Sequence, residues 1–253
     1  NIAIVGCGSI SQLNAPGYLD NPQCDVVALC DPVIDRAVAK AEAWGINPQI
    51  YSEYSDLLND DQVDAVELLT PTYMHVDQII DGLNSGKHVS CQKPICSNLD
   101  EVQRIEEVVR RSNRTFRITE NFLYYPPIAK AKTLIDSGQI GEPSLVRIRT
   151  IRGDASNARI AVQEEAHKWR MDENLNAGGT LYDDGWHKYA TAIFWVGEVE
   201  KVTSIVSERN DFTNADVHVA GSPVNECPSA GIMTGKTKDC LITIDYALYL
   251  IQI

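Results

Sequence analysis

The strongest constraint on the fold is the first eleven residues, where a short apolar run leads directly into a glycine turn. Ile2–Val5 is typical of a buried strand, and residues 6–11 follow it with the pattern Gly-x-Gly-x-x-Ser. Gly6 permits a tight turn, and Gly8 lacks a Cβ and so allows the backbone to approach a bound group. Ser11 predicts the start of a helix whose N-terminal N–H groups can bind a phosphate. An ordinary strand–turn–helix connection without a ligand has the same pattern.

A second strand-like run, residues 25–30, ends at Asp31, roughly twenty residues after the glycines. An acid at this position can accept hydrogen bonds from the ribose diol of an adenine dinucleotide, and its charge repels a 2′-phosphate. Asp31 therefore predicts NAD as the cofactor in preference to NADP. Pro32 predicts the first turn of the next helix. The glycine turn, the spacing and the acid together indicate a nucleotide-binding βαβ unit.

Composition and charge exclude several classes of partner. The chain has 253 residues, 44% of them hydrophobic, which allows one large domain or two ordinary ones. A net charge of −13 argues against nucleic acid or an anionic membrane as a partner, and no apolar run has the length of a membrane span. The seven cysteines follow no zinc-binding pattern and suggest free thiols in a reducing compartment. We expect a cytoplasmic protein.

The pattern of the chain changes near Glu120. Before it, strands alternate with helices, which predicts an α/β fold with a doubly wound parallel sheet. After it, runs with a period of two residues predict an α+β region with an open, mainly antiparallel sheet. We predict a dinucleotide-binding domain at residues 1–119 and a second domain at residues 120–253. The predicted helices of two turns or more include residues 32–44, 74–85, 98–111, 127–137 and 180–196.

Ligands of open parallel sheets bind beyond the carboxyl ends of the strands, and five predicted loops share that rim. A cofactor contact from His75 is one possibility, and a capping or solvent-facing role is another. The predicted cofactor-binding residues are Gly6, Gly8, Ser9, Ile10, Asp31, Thr70, Pro71, His75, Gln92, Lys93 and Asn121.

Lys93 lies on this rim directly before Pro94. A residue before proline is held extended, so its side chain can be directed into the cleft. The ammonium group can then bind a substrate oxygen and stabilise negative charge that develops on it. A surface lysine at a turn is the alternative.

Asp183 and His187 are four residues apart, so on one helix they lie on the same face. A carboxylate beside an imidazole orients it and raises its proton affinity, which suits a general base for an alcohol proton. A surface pair or a metal site are alternatives, but no third metal ligand at suitable spacing is evident. We therefore predict no metal.

The order of the motifs resembles the Gfo/Idh/MocA family over nearly the whole chain. Its members are NAD(P)-dependent sugar and inositol dehydrogenases and their relatives. The residues that carry the resemblance are Gly-x-Gly-x-x-Ser at 6–11, Thr-Pro-Thr-x-x-His at 70–75, Gln-Lys-Pro at 92–94, Ile-Gly-Glu-Pro at 140–143, Trp169-Arg170, and Gly178-Gly179 before Asp183-x-Gly-x-His187.

The resemblance implies a Rossmann domain followed by a substrate and oligomerisation domain, assembled through its sheet as a homo-oligomer, either dimer or tetramer. It implies a catalytic set of Lys93, Asp183 and His187. The substrate contacts it implies are Tyr124, Trp169, Arg170, Asp183 and His187.

Three features depart from the family pattern. Gln92 stands where the family usually has glutamate, and Ala190 where an aspartate commonly follows the histidine. The chain also ends at Ile253, whereas relatives usually continue, so the second sheet is expected to be short.

The motifs and the family resemblance together predict an oxidoreductase that transfers a hydride to NAD from a secondary hydroxyl of a sugar, polyol or related cyclic alcohol. The alternatives are an NAD-dependent glycosidase that oxidises its substrate transiently, and a catalytically inactive cofactor-binding regulator. The presence of Lys93, Asp183 and His187 argues against the regulator.

Overall fold

The computed structural model describes residues 1–152, 169, 172, 175–176, 182–207, 217–219, 230–236 and 240–248. They form two compact units. The first contains residues 1–119 and Trp169, and the second contains the other described residues from Glu120 onward. Each unit has its own sheet and its own hydrophobic core.

The first unit is built on a six-stranded parallel sheet. Its strands are β1 Ile2–Val5, β2 Val26–Cys30, β3 Gln49–Tyr51, β4 Ala65–Leu68, β5 His88–Gln92 and β6 Phe116–Thr119. The spatial order β3-β2-β1-β4-β5-β6 is that of a doubly wound Rossmann sheet, with the reversal of strand order between β1 and β4. The predicted fold class is confirmed.

Six helices connect these strands: α1 Ser11–Asn14, α2 Pro16–Leu19, α3 Ile34–Trp44, α4 Tyr54–Leu58, α5 Thr72–Asn84 and α6 Leu99–Arg111. α6 begins as predicted, because the side chain of Asn98 accepts the Glu101 N–H at 3.0 Å. α3 ends as predicted at Gly45, which has a left-handed φ of 66°.

The segment after the glycine turn differs from the prediction. Two helices of four residues replace one helix, because Pro16 has no N–H to donate to the carbonyl of Gln12. The N-cap is Ile10, and the hydroxyl of Ser11 donates to the Gly8 carbonyl at 2.7 Å instead of accepting an N–H. Pro32 also lies outside its helix, which begins at Ile34.

The second unit has a five-stranded sheet in the order β7-β11-β10-β8-β9. Its strands are β7 Leu145–Arg152, β8 Lys201–Ser207, β9 Val217–Val219, β10 Ala230–Lys236 and β11 Leu241–Leu248. Only the β7–β11 pair is parallel among the described strands, so the sheet is mainly antiparallel, as predicted. A 3₁₀ turn at Phe122–Tyr124 precedes α7 Pro126–Asp136, and α8 Gly185–Val196 contributes Ala192 to a core with Val146 and Ile244.

The turn after β1 depends on the absence of a side chain at Gly6. Gly6 has a φ of 95°, and a Cβ at this position would lie 2.9 Å from both the carbonyl carbon and oxygen of Leu69. The backbone of Leu69 is itself fixed, because its N–H donates to the Val5 carbonyl at 2.8 Å. Only glycine therefore fits without a shift of the β4 end.

Glu67 is the one fully buried carboxylate among the described residues of the first sheet. It lies in β4, where the Tyr18 hydroxyl donates to one carboxylate oxygen and the Thr119 hydroxyl lies 3.4 Å from the other. Burial raises the pKa of Glu67, although the hydrogen bonds to its carboxylate oppose the shift. The folded protein therefore binds a proton at Glu67 more tightly than the unfolded chain does.

We predict that Gly6→Ala destabilises the protein by about 1–3 kcal/mol through backbone strain and the contact with Leu69. Gly8→Ala is the matched control, because no described atom lies within 4 Å of a Cβ there, and its cost should stay within about 0.5 kcal/mol. Urea unfolding followed by circular dichroism measures both. Equal stability of the two variants would contradict the packing at Gly6.

We also predict that Glu67→Gln changes how stability depends on pH. The raised pKa gives a contribution that is complete below the ordinary glutamate pKa and is lost as pH rises through the raised value. The melting temperature of the wild type should therefore fall relative to Glu67→Gln between about pH 4.5 and neutral pH. The exposed Glu106→Gln is the control, and a wild-type/Glu67→Gln difference that does not vary with pH would refute the prediction.

Candidate functional site

The glycine turn presents three backbone donors that have no partner among the described residues. The N–H of Gly6 donates to the Cys30 carbonyl at 2.8 Å, and the N–H of Cys7 donates to Asp31. Within the part of the chain that the structure describes, the next three N–H groups, those of Gly8, Ser9 and Ile10, have no acceptor. No described atom lies within 4 Å of the position that a Cβ on Gly8 would take, so the space in front of Gly8 is open. Three consecutive N–H groups beside open space fit the pyrophosphate of a dinucleotide.

Asp31 holds this turn against the end of β2. Its two carboxylate oxygens accept the N–H groups of Cys7 and Val33, each at 2.9 Å, and the residue is only 4% exposed. Burial, and then the charge of Asp31, raises the pKa of the Cys7 thiol to about 12. The Cys7 thiol is therefore protonated and unreactive at neutral pH.

His75 links two loops of the rim. Its Nδ1 lies 2.7 Å from the Pro94 carbonyl oxygen, its Nε2 lies 2.8 Å from the Thr70 carbonyl oxygen, and the residue is 1% exposed. Both ring nitrogens thus lie within hydrogen-bond distance of main-chain carbonyls, and the cofactor contact predicted for His75 stays a prediction. Pro71 is the N-cap of α5, and the Thr70 hydroxyl donates to Gln78.

Lys93 directly follows β5 at the same edge of the sheet. The side-chain oxygen of Gln92 accepts the Lys93 N–H at 2.9 Å. A glutamate oxygen can accept the same bond, so glutamine at this position preserves the local backbone contact. The substitution does remove a negative charge beside the lysine.

The second unit contains a buried acid–imidazole pair. The Nδ1 of His187 lies 2.8 and 2.9 Å from the two carboxylate oxygens of Glu120, and both side chains are about nine-tenths buried. The ring of Phe122 stacks on the imidazole, with centroids 4.1 Å apart and planes 12° apart. The Thr191 hydroxyl donates to the His187 carbonyl at 2.7 Å and fixes the backbone.

The partner of His187 differs from the prediction. α8 begins at Gly185 with Asp184 as its N-cap, so Asp183 precedes the helix. The i,i+4 pair of this segment is Asp184–Lys188, at 2.7 Å, and the carboxylate at the Nδ1 of His187 is Glu120 instead of Asp183. Sequence reasoning missed Glu120, although its place directly after the last predicted strand of the rim was an available signal.

The remaining predicted cofactor and substrate contacts do not belong to the Glu120–His187 pair. Asn121 and Tyr124 are exposed, and the Asn121 carbonyl accepts the Tyr124 N–H at 3.1 Å. Trp169 packs edge-on against Tyr73 with ring centroids 6.4 Å apart. Arg170 lies outside the described residues, as do the two glycines at 178–179.

The described residues also bear on metal binding, membrane insertion and the state of the cysteines. In those ranges, no group of three or more acidic, histidine or cysteine side chains is placed to hold a metal ion. None of the described helices is long and apolar enough to cross a membrane. The six cysteines in the described ranges carry free thiols.

The fold and the glycine turn define a Rossmann-type dinucleotide-binding protein. Residues 1–120 match the family model described as the oxidoreductase family with an NAD-binding Rossmann fold, and residues 128–225 match the Gfo/Idh/MocA C-terminal domain. The chain therefore belongs to the Gfo/Idh/MocA family, whose N-terminal domain is an NAD-binding Rossmann fold.

Several relatives have assigned activities. The chain is 34% identical over 126 residues to the inositol 2-dehydrogenase of Salmonella typhimurium, covering 49% of this chain and 38% of that protein. It is 24% identical over 217 residues to the levoglucosan dehydrogenase of Pseudarthrobacter phenanthrenivorans, covering 82% of this chain and 54% of that protein. The chain thus spans only about half the length of this second relative.

A solved structure shares the fold. An oxidoreductase from Agrobacterium radiobacter, crystallised with NAD⁺, L-tartaric acid and magnesium, superposes with a TM-score of 0.80 at 20% identity. The match covers 100% of this chain and 67% of that one.

We predict that Gly8→Ala weakens NAD binding by about tenfold or more, because its methyl group occupies the space through which a pyrophosphate approaches the backbone. Isothermal titration with NAD measures the loss, and the small stability change expected for this variant separates it from unfolding. An unchanged affinity would place the pyrophosphate elsewhere.

Proposed function

We propose that this chain belongs to an NAD-dependent dehydrogenase that oxidises a secondary hydroxyl of a sugar, polyol or related cyclic alcohol. Family membership supports the oxidoreductase class. The names of the inositol and levoglucosan dehydrogenases support a polyhydroxylated substrate. The homo-oligomer expected from the family resemblance stays a prediction.

The cofactor would be held by the first unit. The N–H groups of Gly8, Ser9 and Ile10 would bind its pyrophosphate. The buried negative charge of Asp31 at the end of β2 favours a ribose diol over a 2′-phosphate, so NAD is preferred to NADP. When bound, NAD supplies the hydride acceptor that none of the protein side chains can replace.

The observation that carries the proposal is the setting of His187. Its Nδ1 is held by Glu120, and its Nε2 has no hydrogen-bond partner among the described residues. A neutral imidazole held in this way has a lone pair at Nε2 that can take the proton of a substrate hydroxyl. His187 is therefore the proposed general base.

Lys93 is the proposed stabiliser of the substrate oxygen. Its ammonium group would donate to that oxygen as the proton leaves and offset the developing negative charge. Asp183 would bind a neighbouring hydroxyl of the substrate. Its position directly before the N-cap of α8 is compatible with this role. Tyr124, Trp169 and Arg170 remain proposed substrate contacts, and Gln92, Thr70, Pro71 and Asn121 remain proposed cofactor contacts.

The direct test is reduction of NAD by the purified chain with a panel of polyols, sugars and cyclic alcohols, followed at 340 nm. NADP is tested in parallel. Turnover with NAD and a panel member supports the proposal. Release of a sugar without net NADH would assign the redox-assisted glycosidase instead, and NAD binding with neither reaction would point to the inactive regulator.

We predict that Lys93→Ala lowers kcat by about 10²- to 10³-fold, because one preorganised donor to the developing oxyanion is lost. Its affinity for NAD should be retained. The exposed Lys130→Ala is the matched control and should keep full turnover. Undiminished turnover in Lys93→Ala would remove the lysine from the mechanism.

A further inference from the structure

The first residues after β6 surround the imidazole of His187 on two sides. Glu120 faces its Nδ1 edge with both carboxylate oxygens, and Phe122 covers one face of the ring. One carboxylate oxygen of Glu120 also accepts the Phe122 N–H at 2.8 Å. The acid is therefore held by the backbone of the same segment that supplies the stacking ring.

This arrangement determines which nitrogen of His187 carries the proton. A carboxylate that already receives the Phe122 N–H is an acceptor, so it requires a donor at Nδ1. A neutral imidazole has one N–H, and a proton at Nδ1 leaves Nε2 as the basic nitrogen. The stacked Phe122 ring restricts rotation of the imidazole, which would exchange the two nitrogens.

We infer that Glu120 is the positioning residue for His187: it fixes the Nδ1–H tautomer and so makes Nε2 the atom that receives the substrate proton. This inference rests on the proposed function for its catalytic consequence, but the tautomer is a property of the protein alone. The role expected from the sequence for Asp183 at the imidazole then belongs to Glu120, a residue outside the Asp183-x-Gly-x-His187 motif.

The rest of the cluster is consistent with this role. Lys188 follows His187 in α8 and is 7% exposed, with its ammonium paired to Asp184 at 2.7 Å. The Asp184 charge is thus engaged by Lys188, and the ammonium group of Lys188 lies 5.1 Å from the centre of the Phe122 ring. Glu120 is the acid placed at the imidazole edge.

The test reads the tautomer directly by NMR on the full chain labelled with ¹⁵N-histidine. The chain has five histidines, and the His187 resonances are identified by their loss in His187→Gln. The wild type at neutral pH should show a protonated Nδ1 and an unprotonated Nε2. An Nε2–H tautomer in the wild type would overturn the inference without any variant.

Two substitutions then test the cause. Glu120→Gln can present either its oxygen or its NH₂ group to Nδ1, so the Nδ1–H signature should weaken or be lost. Glu120→Asp keeps the carboxylate and should retain at least part of it. The exposed Glu106→Gln is the control for loss of a glutamate charge and should leave the spectrum unchanged. An unaltered His187 tautomer in Glu120→Gln would contradict the inference.

The catalytic consequence has a separate measurement. With a substrate from the polyol panel, Glu120→Gln should lower kcat by about 100-fold with a smaller change in KM, and Glu120→Asp should restore part of the loss. An altered tautomer with unchanged kcat would overturn the positioning role. If the panel gives no turnover, the proposed function fails, while the NMR result still decides whether Glu120 fixes the imidazole.

Discussion

The close approach of Gly6 to the backbone of Leu69 is the constraint on which the cofactor end of the molecule depends. A Cβ on Gly6 would lie 2.9 Å from the carbonyl carbon and oxygen of Leu69. The turn after β1 is therefore fixed between the ends of β1, β2 and β4. Asp31 then holds the Cys7 N–H, and the following three N–H groups have no acceptor among the described residues. The position of the three donors that we propose for the pyrophosphate is thus a consequence of strand packing.

In each of the two units a buried carboxylate fixes the position of neighbouring polar groups. In the first, backbone groups are positioned by a buried carboxylate, Asp31, that accepts two N–H donors. In the second, the imidazole of His187 is held by another buried carboxylate, Glu120, which accepts one backbone N–H and lies 2.8 Å from the Nδ1 of His187. In each case burial removes competing water, so that a charged acceptor holds its donors in one geometry.

Much of the fold could be predicted because it follows from local signals. The alternation of apolar strands with amphipathic helices determines the parallel sheet, and Asn98 and Gly45 mark helix ends by their own chemistry. The errors occurred where the outcome depends on a distant or missing partner. Pro16 interrupts the first helix through a bond it cannot make. The contacts of the His75 ring with the Thr70 and Pro94 carbonyls were equally beyond prediction, because no sequence pattern places these groups together. Glu120 pairs with His187 across 67 residues, a separation at which helical spacing gives no information.

The central claim is that an alcohol bound beside NAD loses its proton to His187 while Lys93 stabilises its oxygen. The most direct measurement is a crystal structure of the protein with NADH and a polyol that it turns over. The account predicts the reacting hydroxyl within hydrogen-bond reach of both the Lys93 ammonium and the Nε2 of His187, with its carbon about 3–3.5 Å from the nicotinamide carbon that carries the hydride. A hydroxyl bound to neither side chain, or a nicotinamide ring remote from both, would contradict it.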